Sequence, residues 1–554
     1  MRSSWNKFSP SRLWGFNSRH TFSHPRQFSQ AATSNFLPRR TIPWLLTASL
    51  VTGITGFYIG SSPRMAADVP GFGTSNEFGL AIRELREALP GDDSVSTDAD
   101  ELERHGFSLY DYHPGVLHSV VVYPLTTDDV VKIVNISRKY RMPIVPYSGG
   151  TSLEGHNRGH PSGGICVDMS GMDRIIEIHE ADSDLVCQPG CLWVDINETL
   201  RQKGIKLFFP LDPAPGATIG GMLSTGCSGT NAVRYGTAKG EWFLNATVVL
   251  PSGEVIKTRS RARKSSAGFD LTKLFIGAEG TLGIVTEVTI RLAPVLPTTV
   301  AVVHFPDVKK ATEAVIEVLN QGVGIQCVEL LDDLFMAATN KYGMSMRKWP
   351  EKDSLFFKFQ GHSAKSLDET AAVVKSVVER HGGFGFTLAK DDQEATSLWA
   401  DRKNALFSGL ALLEGDDGKG WSTDVCVPPS NLPQLVYETK QDLSEIGLIS
   451  TIVGHVGDGN FHALLLFKTD EELEIARHAV HRMVKRAIAL DGTCTGEHGV
   501  GIGKKEYLYE ELGYGTVELM KTIKRSIDPL GLFNPGKLYP DAPGVATKAD
   551  PRST

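Results

Sequence analysis

The sequence predicts an α+β protein of two folded domains behind an N-terminal transmembrane helix. Three observations carry that reading. Helical and short strand-like patterns interleave from about residue 77 onward. Three glycine-rich clusters fall inside one domain-sized window, and no G-x-G-x-x-G or Walker A string accompanies them. An uncharged stretch, Pro43 to Gly60, separates an acid-free basic segment from an acidic body. The chain has 554 residues, 41% of them hydrophobic. By size alone it holds about three to five domain-sized units of 100–200 residues each. That much apolar material excludes disorder and collagen-like repeats. The net charge of −7 averages two unlike parts. Residues 1–67 carry eight basic side chains and no acid, which leaves −15 on residues 68–554. An acidic body is a poor partner for nucleic acid. The seven cysteines form no C-x-x-C pair and are odd in number, so they read as reduced, buried thiols.

Residues 1–42 are rich in Arg and Ser, the composition of a mitochondrial presequence. Pro43–Gly60 is about as long as the shortest spans that cross a bilayer at ~1.5 Å per residue. The bias of positive charge toward one side places the N-terminus in the matrix and the acidic body in the intermembrane space.

The folded part opens on a helix-like segment, Glu77–Ala88. Thr126 or Thr127 caps the next helix. Asp128 and Asp129 lie in its first turn, Val130, Ile133, Val134 and Ser137 form its buried stripe, and Met142–Pro143 ends it. Ile144–Pro146, Gly164–Val167, Ile175–Ile178 and Leu185–Cys187 read as strands, and Val194–Lys203 reads as a helix. Ala246–Leu250 and Glu254–Lys257 flank Pro251-Ser252-Gly253 as a hairpin. From about residue 300, helices (Val308–Gln321, Leu367–His381, Pro429–Ile446, Glu471–Leu490) alternate with strands (Leu355–Gln360, Ser422–Val427, Ala463–Phe467), which predicts a second α+β domain.

The glycine clusters run Pro146 to Gly155, Gly216 to Asn231 and Gly277 to Thr286. Successive N–H groups in such loops form concave anion sites, to which Ser and Thr hydroxyls add donors. The strings TIGGMLSTGCSGTNAVRYG and GAEGTLGIVTEV resemble the flavin domain of the vanillyl-alcohol-oxidase, or p-cresol-methylhydroxylase, type. The resemblance covers roughly residues 115–295 and implies FAD between two α+β subdomains. It implies that Pro146, Tyr147, Ser148, Gly149, Gly150, Thr151, Ser152 and Gly155, with Gly220 and Gly221, hold the pyrophosphate. It places Ser224, Cys227, Ser228 and Asn231 of the second cluster in the same expected cofactor set. Glu279, Gly280, Gly283, Ile284 and Val285 line the adenine and ribose side. Members with covalent flavin carry a His after the paired glycines. Thr151 stands there, so the expected FAD is non-covalent.

His455-Val-Gly-Asp-Gly-Asn-Phe-His462 places two imidazoles on opposite sides of a regular strand unless the Gly457-Asp458-Gly459 turn reunites them. Glu497 and His498 follow about 35 residues later. Two imidazoles and a carboxylate suit Zn²⁺ or Mn²⁺, and a pair of satisfied core histidines is the alternative from spacing alone. HVGDGNFH and GEHGVG resemble the C-terminal domain of FAD-linked D-2-hydroxy-acid dehydrogenases, from about residue 296 to Leu538. Within that family the likeness is to the mitochondrial, cytochrome c-linked branch. It implies His455, His462 and Glu497 as metal ligands, His498 as general base, Arg402 as the substrate-carboxylate clamp, and Asn460 at the substrate or the metal shell. A metal lowers the pKa of a bound hydroxyl, a neutral His accepts the proton, and an Arg holds the carboxylate bidentately. Asn534-Pro-Gly-Lys537 implies a return of the chain to the flavin domain, with Lys537 near the site or exposed.

The expected organisation is presequence 1–42, anchor 43–60, linker and helical segment 61–114, FAD-binding domain 115–295, substrate and metal domain 296–540, and tail 541–554. The expected activity is oxidation of D-lactate to pyruvate, with electrons passing through FAD to cytochrome c. An acidic body attracts that basic carrier. The rival is a D-2-hydroxyglutarate dehydrogenase using a quinone or an electron-transfer flavoprotein. Its second carboxylate needs a cation beside Arg402, for which Lys403 is the candidate, while Ala405, Leu406 and Phe407 better suit a methyl group. An ether-lipid-synthase type has the wrong address. An inactive flavoprotein acting as a binding partner would not need the intact His–Glu–Arg set.

Overall fold

The computed structural model describes residues 71–541, apart from 109–110, 344, 346 and 414–417. The presequence, the anchor, the first part of the linker and the tail beyond 541 lie outside the described residues. Among the described residues no helix is long and apolar enough to cross a membrane.

Two larger sheets and a two-stranded one, Leu207–Phe208 with Ala293–Pro294, form the first half. The helix Ser75–Ala88 starts at a capping box of Thr74 and Glu77, and Thr127–Tyr140 starts at one of Thr126 and Asp129. The second ends at Arg141, in a left-handed conformation, just before Met142–Pro143. Val130, Ile133 and Val134 are fully buried in the cluster these helices share with a four-stranded sheet. Its order is Val95–Ser96, Val120–Val122, Ile165–Asp168, Ile144–Tyr147, with the last three strands parallel. The second sheet is antiparallel, in the order Ile175–His179, Asp184–Cys187, Ile284–Arg291, Phe243–Val249, Val255–Lys257. The helices Trp193–Gln202 and Ile219–Thr225 pack on it.

The second half is one large antiparallel sheet. Its order is Phe384–Leu388, Thr298–Phe305, Asp353–Gln360, Ile325–Leu331, Ser450–Gly454, Asn460–Phe467, Lys419–Ser422. Both faces are covered, so its strands are apolar on both. Ala301, Val303 and Phe305 point into the larger cluster with the helices Val308–Asn320, Ala364–Arg380, Leu432–Glu445 and Asp470–Ala489. Val300 and Val302 point the other way, toward Phe335, Leu398 and Trp399 of the helices Asp333–Tyr342 and Asp392–Lys403.

The single strand read over Ser422–Val427 is two, Lys419–Ser422 and Val425–Cys426, both paired to Asn460–Phe467. The ladder breaks at Thr423–Asp424, where Thr423 Oγ1 accepts the Ala463 N–H and Asp424 turns inward. The chain ends by returning to the first sheet: Ile144 N–H donates to Leu532 O and Asn534 N–H donates to Ile144 O. All seven cysteines are free thiols, six of them buried.

Candidate active site

A cavity of about 490 Å³ runs between the two halves. The three glycine clusters form one end of it. Glycine is required because these loops press on one another: a Cβ on Gly149 would lie 2.4 Å from Gly216 O, and one on Gly280 would lie 2.8 Å from Pro146 Cγ. Gly220 and Gly221 open the helix Ile219–Thr225, whose cap Thr218 Oγ1 accepts the Gly221 N–H. Ser148 Oγ lines this end, buried and without a hydrogen-bond partner, as a group awaiting an acceptor would be. Pro146 through Ser152, Ser224, Cys227, Gly283, Ile284 and Val285 lie on the same wall.

Four expected site residues stand off the cavity, Gly155, Ser228 and Asn231 from this wall and Asn460 from the substrate or metal shell, each drawn away by a specific partner. Gly155 packs against Ile502 and donates its N–H to Asp111 Oδ2. Ser228 donates to Glu497 Oε2 at 2.6 Å. Asn231 donates to Pro210 O and accepts from Gln326 Nε2. Asn460 donates to Asp424 Oδ1 and Val425 O, behind the site. Lys537 is buried rather than exposed, with Nζ donating to Arg158 O and Asn534 Oδ1.

At the other end the turn Val456–Asp458, closed by Gly459 at φ 79°, brings the two histidines of HVGDGNFH together. Their ring centroids are 5.4 Å apart. His455 Nε2 lies 3.0 Å and His462 Nε2 3.1 Å from Glu497 Oε1. The ligand atoms of all three residues lie within 4.8 Å of one another. The outer nitrogens are held from behind: His455 Nδ1 meets Glu329 at 2.9 Å, and His462 Nδ1 donates to Thr423 O at 2.9 Å. A neutral ring that donates from Nδ1 presents a lone pair at Nε2. Two such lone pairs facing one carboxylate oxygen need a cation between them or protons on the rings. Anchored outer nitrogens with inner nitrogens convergent on a carboxylate are the arrangement of histidine metal ligands. Burial pushes the His455 pKa down, but Glu329 and Glu497 raise it well above the usual histidine value. Burial pushes Glu497 up, and His455 and His462 hold it well below the carboxylate range.

His498 stands beside this trio. Burial lowers its pKa to about 4 against the pull of Asp424, so the ring is neutral, and its Nδ1 has no hydrogen-bond partner. Arg402, in the last turn of Asp392–Lys403, is 7% exposed and lines the cavity. Phe335, Val453 and Leu464 add apolar surface to the cavity wall, and Lys403 is also on it.

Three carboxylates organise the site in ways the sequence reading missed. Glu329, fully buried, binds Arg402 and His455. Asp424, fully buried, accepts from the backbone N–H groups of Glu497 and His498, from Thr495 Oγ1 and from Asn460 Nδ2. Glu279 lines the cavity, but its carboxylate faces His156 and accepts the N–H groups of Val500 and Gly501. Each is an acid within an apolar or glycine-rich run (CVELL, TDVCV, GAEGTLG), and that was the available signal.

Comparison with known proteins identifies both halves of the chain. Residues 118–259 match the model of an FAD binding domain, and residues 297–538 match that of the FAD linked oxidases, C-terminal domain. The chain is 44% identical over 463 residues to the mitochondrial D-lactate dehydrogenase (cytochrome) of Arabidopsis thaliana, covering 83% of this chain and 80% of that one. It is 44% identical over 473 residues to D-lactate dehydrogenase (cytochrome) 1 of Saccharomyces cerevisiae, with the same coverage. The solved structure of p-cresol methylhydroxylase shares the fold at TM-score 0.66 and 18% identity, over 84% of this chain and 97% of that one.

Proposed function

The chain belongs to the family of FAD-linked oxidases that includes the mitochondrial D-lactate dehydrogenases, and from that premise we propose that it oxidises D-lactate to pyruvate and passes the electrons to cytochrome c. One observation carries the reading of the site. The convergent Nε2 atoms of His455 and His462 with Glu497 Oε1, a neutral His498 and a buried Arg402 share one cavity with the glycine loops.

The glycine loops and the orphaned Ser148 hydroxyl fit a non-covalent FAD, and Thr151 offers no imidazole for attachment. His455, His462 and Glu497 fit a divalent ion, Zn²⁺ or Mn²⁺. When bound, FAD supplies the hydride acceptor and the ion supplies a Lewis acid for the substrate hydroxyl. The chain's own groups do the rest. Arg402 holds the carboxylate through its free edge and so fixes which Cα–H faces the cofactor. Neutral His498 accepts the hydroxyl proton at an imidazole nitrogen. Phe335, Val453 and Leu464 give the small side chain an apolar wall and keep water out. The basic, acid-free residues 1–42 address the chain to mitochondria. Residues 43–60 anchor it in the inner membrane with the acidic body in the intermembrane space, where cytochrome c is met.

Lys403 on the cavity wall favours a second reading, in which a second carboxylate is recognised and the substrate is D-2-hydroxyglutarate. One panel separates the two. Purified, metal-quantified protein is mixed anaerobically with D-lactate, L-lactate or D-2-hydroxyglutarate, and the flavin absorbance is followed. Cytochrome c or a quinone is then supplied as acceptor. Bleaching by D-lactate with reoxidation by cytochrome c is expected. Bleaching by D-2-hydroxyglutarate alone would replace the first reading with the second, and no bleaching by any of these acids would reject both.

A further inference from the structure

Glu329 is a charged side chain in a strand, Ile325–Leu331, that is buried at every position. Its neighbours Val328 and Leu330 face the larger core cluster, and Cys327 and Leu331 face the smaller one. Strand alternation therefore turns Glu329 toward the side of Arg402 and the cavity. The strands run antiparallel with Leu330 opposite Gly454, so the preceding position, Glu329, opposes His455. The carboxylate meets both residues. Its Oε2 accepts from Arg402 Nε at 2.9 Å and from Arg402 Nη2. Its two oxygens lie 2.9 and 3.0 Å from His455 Nδ1.

We infer that Glu329 is a positioning residue that sets both ends of the bound hydroxy acid with one carboxylate. This rests on the reading of Arg402 as clamp and His455 as metal ligand. A guanidinium carries five N–H groups in a planar fork. Glu329 takes the Nε edge and leaves the Nη1–Nη2 edge for a second, bidentate carboxylate. The same Glu329 oxygens fix the ring plane and tautomer of His455, so that Nε2 points at the site. Arg402 would hold the substrate carboxylate, and His455, with His462 and Glu497, would hold the ion that takes the adjacent hydroxyl. The spacing of those two holds has to match one C–C bond, and a shared rigid acceptor enforces that match. An Arg or His held by separate partners would relax independently.

The test is Glu329→Gln in the full-length holoenzyme, with Arg402→Ala and His455→Ala as references. Three quantities are read: bound Zn²⁺ or Mn²⁺ per chain against a competing chelator, FAD content, and KM and kcat for D-lactate. Glu329→Gln should weaken metal binding about 10–100-fold, the range seen when the outer partner of a metal-bound histidine is lost. It should raise KM at least tenfold, more than it lowers kcat, with FAD content unchanged. Metal loss without a KM change, or a KM change without metal loss, overturns the shared role. If the wild type binds no divalent metal, or Arg402→Ala leaves KM unchanged, the reading of the site fails instead. If Glu329→Gln does not fold, Glu329→Asp keeps the charge but is one methylene shorter. It should then show the same paired losses, and wild-type values for both quantities in Glu329→Asp would overturn the inference.

Discussion

The rings of His462 and His498 lie stacked, with centroids 4.9 Å apart and planes 11° from parallel. The two imidazoles have different duties. His462 is held at both nitrogens, by Thr423 O and by Glu497 Oε1, whereas His498 keeps Nδ1 without a partner. One ring is fixed at both nitrogens, and its neighbour is left neutral and open.

Replacing His498 with Ala should therefore lower the rate of flavin reduction by D-lactate about 10²–10⁴-fold, the usual worth of a positioned base. FAD and metal content should stay at wild-type levels, because the loop is held through the backbone N–H of residue 498 and not through its ring. Stopped-flow reduction with metal analysis on the same sample checks this. Near-normal reduction would reject His498 as the base.

Asp424 gathers four donors on one buried carboxylate, and burial would raise its pKa were it not for His498 and His462, which lower it to about 2. Asp424→Asn should be more harmful than its shape suggests. In one amide orientation the new NH₂ faces the N–H groups of Glu497 and His498, and in the other it faces Asn460 Nδ2. Donor meets donor either way, at a cost of about 1–3 kcal/mol or more. Thermal denaturation should show a lower Tm, and metal content should fall with it, because the same N–H bonds place Glu497. Wild-type metal content would show that Glu497 is placed without Asp424.

Glu279 joins the third glycine loop to the loop that carries Glu497 and His498. His156 lies 3.1 Å from Glu279 Oε2, and Glu279 accepts two N–H bonds from Val500 and Gly501. Burial raises the Glu279 pKa, but His156 brings it below the ordinary 4.5. Burial lowers His156, but Glu279 brings it above the ordinary 6.5. The depressed acid stabilises the fold above pH 4.5, and this is lost as pH falls through its folded pKa. The raised histidine stabilises below pH 6.5, and this is lost as pH rises through its folded pKa. The pair therefore contributes most between pH 4.5 and 6.5. The Tm difference between wild type and Glu279→Gln should be largest in that window and shrink at alkaline pH. A difference that grows with pH would contradict the pairing.

The legible parts of this molecule were those with local signals. Thr126 and Asp129 announce a helix start through their own side chains, and the capping box is present. HVGDGNFH announces its turn through Gly459, and the two imidazoles converge as the spacing allowed. Glu329 and Asp424 gave only a weak signal, an acid in an apolar run. Their partners lie 73 residues away at Arg402 and 73 and 74 residues away at Glu497 and His498. No local rule states which distant donor a buried carboxylate will find. Asn460 shows the converse: it sits inside the motif, yet its amide is taken by Asp424, a residue the motif does not contain.

A buried acid and base without hydrogen-bond partners lie behind the first glycine loop. Glu154 and Lys504 are 0% and 1% exposed, with Oε1 and Nζ 3.8 Å apart, and neither charged group has a hydrogen-bond partner. Burial raises Glu154 to about 7 even though Lys504 and His156 pull it down. An acid whose folded pKa lies above its unfolded value loses stabilisation as pH rises from about 4.5 to 7. Removing only the cation should then be costly where the acid is charged. Lys504→Met should destabilise by about 3–5 kcal/mol at pH 8 and by clearly less at pH 5, where Glu154 holds its proton. The double variant Glu154→Gln, Lys504→Met removes both charges and should be close to neutral, or more stable than wild type by about 1–4 kcal/mol. Urea denaturation at the two pH values measures all three chains. A Lys504→Met cost independent of pH would mean that the pair is not an ion pair in solution.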